Sequence, residues 1–434
     1  MQIAVIGTGY VGLVTAAVFA DQGNDVIAVD VNEEKVRGLM EGRMPFYEPG
    51  MEEMVTHNYA DGRLQFTTDT TAAVQRSEVV FICVDTPPRE DGCSDLSRVK
   101  EVAQAVAQAM NGHKVVVNKS TVPVGTGDLV GRIIEEHKPA GVTFDVVSNP
   151  EFLREGSAIP DSLRPDRIVI GANNPAAALK LIELYASLER QMLICDVESA
   201  EIIKYASNAF LATKISFINT IAELCERVGA DVVQVVKGMG ADRRIGAEFL
   251  HPGLGFGGSC FPKDTLSLLR VGQQHGLKMG IVEATIEVNQ RRAKHFVGRM
   301  ECALGNLAGK KIAVLGLSFK PDTDDMREAK SVEVINLLLE QGAAIRAYDP
   351  VAMEKAKSQL PEGVVYCDTP YQAAEGCDAL AVITEWNEFK QLNLERIRDL
   401  MKRPVVFDGR NIYPPERMAK LGFRYISIGR PDPK

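Results

Sequence analysis

The chain reads as an α/β protein in which two doubly wound domains are joined by a helical middle, and three observations carry that reading. The first is a strand, a glycine-rich turn and an apolar helix at the N-terminus. The second is a stretch from Ala200 to Arg227 without glycine or proline, and the third is another run of strand, turn, helix and strand that begins at Lys310. Alternating strand and helix signals imply parallel sheets covered by helices on both faces. The expected domains are 1–198, 199–305 and 306–434.

Composition sets the outer limits. A chain of 434 residues with ordinary apolar and charged fractions has room for two or three globular cores. Its 49 basic and 58 acidic residues give a net charge of -9, which argues against general binding of nucleic acid or of an anionic membrane. No apolar run is long enough to cross a bilayer. The opening Met1 to Ile6 has no basic leader and is read as a first strand, not a signal peptide. Eight cysteines without a Cys-x-x-Cys pair point to a reducing cytoplasm, and with six scattered histidines no metal site is expected.

The N-terminal unit comes first in the chain. After Ile6 stand Gly7, Thr8, Gly9, Tyr10, Val11 and Gly12, then an apolar helical run from Leu13 to Ala20, then Gly23 and a strand from Val26 to Val29 that ends in Asp30. Gly7 permits the tight turn, Gly9 lets the backbone approach a pyrophosphate, and Gly12 lets helix and strand pack closely. The helix N-terminus then meets the phosphates. Asp30 can accept hydrogen bonds from a ribose 2′-hydroxyl and would repel a 2′-phosphate, which favours NAD over NADP.

Further strands are expected at Val79 to Val84, Lys114 to Lys119 and Val142 to Ser148, with a helix from Leu96 to Met110. Ligands of such sheets lie beyond the C-terminal strand ends. That places Asp85-Thr86-Pro87, Ser120-Thr121-Val122-Pro123 and Asn149-Pro150-Glu151 around the cofactor, with Thr86 and Thr121 either serving it or acting as ordinary turn hydroxyls. In the middle of the chain, Ala200 to Arg227 is apolar on almost every face, as expected of a helix buried in a core or a subunit interface. Lys204 and Asn208 lie four apart on one face of it. Lys204 either extends its head to water or joins Asn208 in presenting a cation and an amide donor to a site.

Cys260 follows on a glycine-rich loop, Gly255-Phe256-Gly257-Gly258-Ser259, at the expected start of a helix that runs from Pro262 to Gly276. Open backbone N–H groups, the positive end of the helix dipole and the nearby Lys263 all favour thiolate over thiol there. Cys83, Cys195 and Cys225 sit among apolar neighbours and read as small core hydrophobes.

The last unit has a strand Lys311 to Leu315, a turn Gly316-Leu317-Ser318-Phe319-Lys320, a helix Val332 to Leu339 and a strand Ile345 to Tyr348 ending in Asp349. Strands Ala379 to Ile383 and Val405 to Phe407 complete it, the latter leading into Asp408-Gly409-Arg410-Asn411. The three-glycine pattern of the N-terminus is not repeated. A second Rossmann-like domain that holds a different nucleotide is the expectation.

Five motifs taken in order resemble the UDP-glucose 6-dehydrogenase family of nucleotide-sugar dehydrogenases. They are Gly7-x-Gly9-Tyr10-Val11-Gly12; Asn149-Pro150-Glu151-Phe152-Leu153-Arg154-Glu155-Gly156; Glu201-x-x-Lys204-Tyr205-x-x-Asn208; Phe249-Leu250-x-Pro252-Gly253-x-Gly255-Phe256-Gly257-Gly258-Ser259-Cys260; and Gly316-Leu317-x-Phe319-Lys320. The resemblance covers nearly the whole chain. It implies NAD-dependent oxidation of a sugar C6 hydroxyl to a carboxylate, in two hydride transfers with the sugar held on the cysteine between them.

By the same resemblance Cys260 is the nucleophile, Lys204 stabilises the oxyanion at C6, and Asn208 holds the sugar oxygen. Asp264 and Thr121 orient a water, and Glu151 is the base for thioester hydrolysis. Either Lys204 or Asp264 is the base of the first oxidation. Implied cofactor contacts, beside Gly7, Gly9, Tyr10 and Gly12, are Val11, Asp30, Lys35, Thr86, Thr121, Glu155, Lys263 and Arg327. Implied substrate contacts are Glu151, Phe152, Leu153, Arg154, Glu155, Lys204, Asn208, the segment Phe249-Leu250-His251-Pro252-Gly253, Gly257, Phe319, Lys320 and Arg410. Lys320 and Arg410, as fixed cations at strand ends, suit a diphosphate or a sugar.

The Phe249 to Gly253 segment looks most like that of members acting on UDP-glucose, while relatives acting on N-acetylated UDP-sugars or GDP-mannose share the catalytic core. The family's central helix forms a homodimer, which suits Ala200 to Arg227. One residue departs from the family's pattern: Asp85 brings a carboxylate beside Thr86, where a small or neutral residue is expected, and it either weakens NAD affinity or pairs with a local base such as Arg89. Two rival readings are a two-electron hydroxyacid or polyol-phosphate dehydrogenase, which needs no cysteine, and a nucleotide-binding sensor, which needs none of Cys260, Lys204, Asn208 and Asp264.

Overall fold

Short apolar runs bounded by glycine and polar residues become the strands of two sheets in the computed structural model, which describes residues 1–431. The chain divides into two compact units. The first comprises Met1–Ser207 with Leu266–Leu277, the second Asn208–Thr265 with Lys278–Lys434. A central helix, Val197–Val228, and a shorter one, Phe261–Gln274, each pass from one unit into the other.

The first sheet contains β1 (Gln2–Ile6), β2 (Asp25–Val29), β3 (Leu64–Thr67), β4 (Val79–Ile82), β5 (Lys114–Asn118), β6 (Phe144–Ser148), β7 (Ile168–Ala172) and β8 (Met192–Cys195). Their order is β3-β2-β1-β4-β5-β6-β7-β8. The order reverses between β1 and β4, which places the ligand crevice at the C-terminal ends of those two strands. Alternate residues of β1 feed opposite cores: Ile3 and Val5 join Leu13, Phe19 and Phe81 on one face, while Ala4 and Ile6 join Ile82, Val116 and Ile134 on the other. Burial on both faces is what a helix-covered sheet requires, and each large side chain so buried contributes about 1.5–3 kcal/mol.

The expected wholly parallel sheet is in fact mixed. β7 runs antiparallel to β6, with Val147 opposite Ala172 and Ser148 opposite Gly171. The link between these strands carries only the short helix Ala158–Leu163, which packs on the helix Tyr10–Asp21 and makes no crossover of the kind a parallel neighbour demands.

In the second unit β9 (Lys311–Leu315), β10 (Ala344–Tyr348), β11 (Val365–Tyr366), β12 (Ala379–Val382), β13 (Val405–Asp408) and β14 (Arg424–Ser427) form a parallel sheet in the order β11-β10-β9-β12-β13-β14. Gly316 follows β9 with φ +94, and a Cβ there would lie 2.4 Å from Thr384 Cβ, so the turn admits glycine alone. The helix Gly280–Leu304 buries Asn289, Arg292, Phe296 and Met300.

The central helix is buried on one face only. Ala200, Tyr205, Ala209, Ala212, Ile218 and Ala222 face inward, while Phe210, Phe217, Leu224 and Val228 are 65%, 48%, 54% and 65% exposed.

Candidate active site

The cofactor cradle lies in the first unit. Gly7 takes φ +100, and a Cβ on it would sit 2.7 Å from the Cys83 carbonyl oxygen; one on Gly12 would sit 1.8 Å from the Gly7 carbonyl oxygen. Around Gly9 the nearest atom to such a Cβ is Asp85 Oδ1 at 3.5 Å, so this position keeps room for a ligand. Gly9 is the N-cap of the helix Tyr10–Asp21, which has no side-chain cap and no acidic residue in its first turn. Its open N–H groups suit a pyrophosphate.

At the end of β2, Asp30 accepts hydrogen bonds from Thr8 N (3.0 Å), Thr8 Oγ1 (2.7 Å), Asn32 N (3.1 Å) and Lys35 Nζ (2.7 Å). Burial pushes its carboxyl up, but the bonds from Lys35, Thr8 and Asn32 outweigh it and hold the pKa down at about 2. A fixed carboxylate at this point, beside the glycine cradle, fits NAD and its free ribose hydroxyls.

Beyond the strand ends the loops hold one another. Thr86 Oγ1 donates to the Thr121 carbonyl at 2.8 Å and Ser120 Oγ to that of Val84 at 2.7 Å. Lys119 is buried and donates to Asn149 Oδ1 (2.9 Å) and the Tyr185 hydroxyl (3.1 Å), and burial lowers its pKa to about 8. Asp85 is exposed and pairs with Arg98 at 3.3 Å. Asp85 does pair with a local base, but with Arg98 and not Arg89, which is engaged by Asp91 at 3.3 Å because a tight turn brings those two neighbours together.

Glu151 and Lys204 form a buried ion pair at 2.9 Å, with 5% and 4% of their side chains exposed. The second Glu151 oxygen accepts the Leu153 N–H at 2.8 Å, and the Phe152 ring lies beneath Arg167, whose guanidinium carbon is 3.6 Å from the ring centroid. Arg154 makes a two-pronged contact with Asp161 at 2.7 and 2.9 Å. Glu201, the first residue of the Lys204 motif, accepts the N–H groups of Gly125 (2.7 Å) and Gly127 (2.8 Å). It thereby caps the helix Thr126–His137 that follows the Thr121 loop.

Glu48 has no counterpart among the sequence expectations. It is 5% exposed, bonds to the Tyr10 hydroxyl, and accepts the N–H groups of Gly156 (2.6 Å) and Ala158 (2.7 Å). The glycine fingerprint and the Glu151 to Gly156 loop are thus tied through one carboxylate. A lone acid between Tyr47 and Pro49 carries no periodicity that would have marked it.

In the second unit the Asp264 N–H donates to the Cys260 carbonyl at 2.8 Å, so Cys260 takes the N-cap position of Phe261–Gln274. Cys260 is half-buried, with Ser259 Oγ 3.6 Å from its sulfur. Asp264 is fully buried and accepts Asn208 Nδ2 at 2.6 Å and Lys263 Nζ at 2.7 Å. Asn208 and Asp264, two of the expected catalytic residues, are therefore joined side chain to side chain, Cys260 is tied to Asp264 by the backbone bond that starts the helix, and the Lys263 cation is drawn to Asp264.

The glycines before Cys260 are sterically required. A Cβ on Gly257 would lie 2.2 Å from the Glu328 carbonyl oxygen, and one on Gly258 would lie 2.8 Å from the Phe319 ring. Phe249 takes φ +63, Arg410 donates to the carbonyls of Ile383 (2.7 Å) and Gly255 (3.3 Å), and Lys320 extends over the Phe319 ring at 5.6 Å. Arg327 forks onto Asp325 at 2.6 Å. Burial pushes the Cys83 thiol up to about 12 and raises those of Cys195 and Cys225. Among the described residues no group of three or more His, Cys, Asp or Glu could hold a metal, and no helix is long and apolar enough to cross a membrane.

Known proteins are similar to this chain across nearly its whole length. Models of the UDP-glucose/GDP-mannose dehydrogenase family match in three parts: the NAD binding domain over 1–189, the central domain over 198–291 and the UDP binding domain over 313–415. A UDP-glucose 6-dehydrogenase of Rhizobium meliloti is 51% identical, covering 100% of both chains. UDP-glucose 6-dehydrogenase TuaD of Bacillus subtilis is 48% identical over 99% of this chain and 93% of its own. The solved structure of a UDP-glucose dehydrogenase from the archaeon Pyrobaculum islandicum superimposes with a TM-score of 0.92 at 43% identity, covering 98% of this chain and 96% of that one.

Proposed function

The chain belongs to the UDP-glucose/GDP-mannose dehydrogenase family, and we propose that it oxidises UDP-glucose to UDP-glucuronate in two NAD-dependent steps through a thioester on Cys260. The observation that supports the mechanism is Cys260 at a helix N-cap, one turn before the buried Asp264 that Asn208 binds. A simple two-electron dehydrogenase has no use for that nucleophile.

Bound NAD supplies the hydride acceptor, once at the alcohol stage and once at the thiohemiacetal stage. Asp30 and the Gly7 to Gly12 turn hold the dinucleotide. The Cys260 thiolate forms a bond to the aldehyde carbon, so the reactive aldehyde stays attached. Lys204 stabilises negative charge on the C6 oxygen, and Asn208 donates a hydrogen bond to the same oxygen. Glu151 takes a proton from the water that attacks the thioester; the C–S bond breaks, the thiolate returns and a carboxylate leaves. The alcohol and one water together give up two hydrides and three protons.

A homodimer through the exposed face of the central helix and a reducing cytoplasmic setting belong to the same reading. It is supported by the row Phe210, Phe217, Leu224 and Val228 and by eight cysteines that are all free.

The direct test is the NADH formed per UDP-glucose consumed, at limiting sugar and excess NAD, with product charge checked by ion exchange. About two NADH with an acidic product are expected, whereas about one would overturn the thioester route.

A further inference from the structure

The loop 253–258 has no regular structure, yet buried side chains of its own unit occupy its backbone. Gly253 donates its N–H to Asn219 Oδ1 at 2.8 Å, and its carbonyl accepts Arg292 Nε at 3.1 Å. Phe256 is held twice by one amide: its N–H donates to Asn289 Oδ1 at 2.8 Å and its carbonyl accepts Asn289 Nδ2 at 3.0 Å. Asn289, 7% exposed on the helix Gly280–Leu304, thus does with a side chain what a neighbouring strand does with its backbone.

The clamp is tight. Gly255 has φ +97, and a Cβ there would fall 2.3 Å from Asn289 Oδ1. The Phe256 ring then meets Phe261 edge-on, with centroids 5.8 Å apart at 90°, and Phe261 is the first residue of the helix that Cys260 caps. A chain of contacts therefore runs from Asn289 through Phe256 to the mount of the nucleophile.

We propose that Asn289 is a positioning residue for the reaction at Cys260, fixing through Phe256 where the thiol stands. The proposal rests on the reading of Cys260 as nucleophile. Asn289 belongs to no glycine, cysteine or charge motif. Its work lies in satisfying both backbone groups of a loop residue that would otherwise be buried unpaired. A loop so held loses the freedom that would smear the sulfur over several positions.

The test uses the full-length enzyme with Asn289→Asp, which keeps the shape and the acceptor but turns the donor into a carboxylate oxygen facing the Phe256 carbonyl. Gly255→Ala is the second variant, which pushes the same clamp from the other side and serves if the first does not fold. Expected for a folded variant are a kcat lower on the order of 10²-fold, an unchanged KM for NAD, and an altered rate of Cys260 alkylation by iodoacetamide at fixed pH. Wild-type kcat and alkylation rate in either folded variant would overturn the proposal. So would a loss of kcat that tracks only a lower Tm while the alkylation rate stays put. Failure of the underlying reading shows separately, as uronate formation by Cys260→Ala.

Discussion

At the scale of single residues, the chemistry divides between groups that must be exposed to react and groups that must be buried to hold them. Cys260 is the first kind. Cys260→Ser should bind NAD as the wild type does, measured by fluorescence titration, but lose uronate formation by on the order of 10³-fold or more, because serine lacks the thiolate and forms an ester. Normal acid production by that variant would sink the covalent route. Glu201 is the second kind. Burial raises its pKa from the ordinary 4.5 to about 7, despite the backbone N–H bonds from Gly127 and Gly125 that pull it down. A carboxyl raised in the folded state binds its proton more tightly there than when unfolded. The stability it contributes is therefore full below about pH 4.5 and is lost as pH rises through about 7. Replacing it by Glu201→Gln should remove a pH-dependent part of the unfolding free energy, on the order of 1–3 kcal/mol, between those values. Denaturant titrations at a series of pH values check this, and an equal slope in both proteins would refute the assignment.

The elements show which parts of the site could be foreseen. Gly12→Ala places a methyl 1.8 Å from the Gly7 carbonyl oxygen, with Cys83 Cβ 3.0 Å away, and neither is the far end of a flexible side chain. It should cost on the order of 1–3 kcal/mol or more and abolish NAD binding, readable by calorimetry; retention of wild-type affinity would show that the fingerprint turn is not the cradle. This position was legible because glycine spacing and strand ends are written along the chain. So were Asp30, Lys204, Asn208 and Cys260, which stand at strand ends, on one helix face or at a helix start. Glu48, the Lys119-Asn149-Tyr185 cluster and Asn289 were not, because each matters through a partner 30 or more positions away and leaves no local pattern. The same cause hid the reversal of β7: alternation of strand and helix signals says nothing of direction when the linking helix is as short as Ala158–Leu163.

For the whole molecule the exposed stripe of the central helix is the feature that asks for a cover. Phe210, Phe217 and Leu224 recur every seven positions and Val228 follows four later, so all four share one stripe. Left in water, each large apolar side chain forgoes about 1.5–3 kcal/mol of burial, and a twofold partner would recover that on both copies. The helix pattern was plain from Ala200 to Arg227, but an apolar sequence cannot say whether its cover comes from the same chain or another. If a second copy supplies the cover, Phe210→Glu puts a carboxylate into the apolar stripe twice, once from each side. Sedimentation at micromolar protein should then give a dimeric mass for the wild type and a monomeric mass for the variant. Alkylation of Cys260 should remain measurable in both, since the helix start that mounts it is held within one chain. A monomeric wild type, or a dimer indifferent to Phe210→Glu, would remove this stripe from the interface.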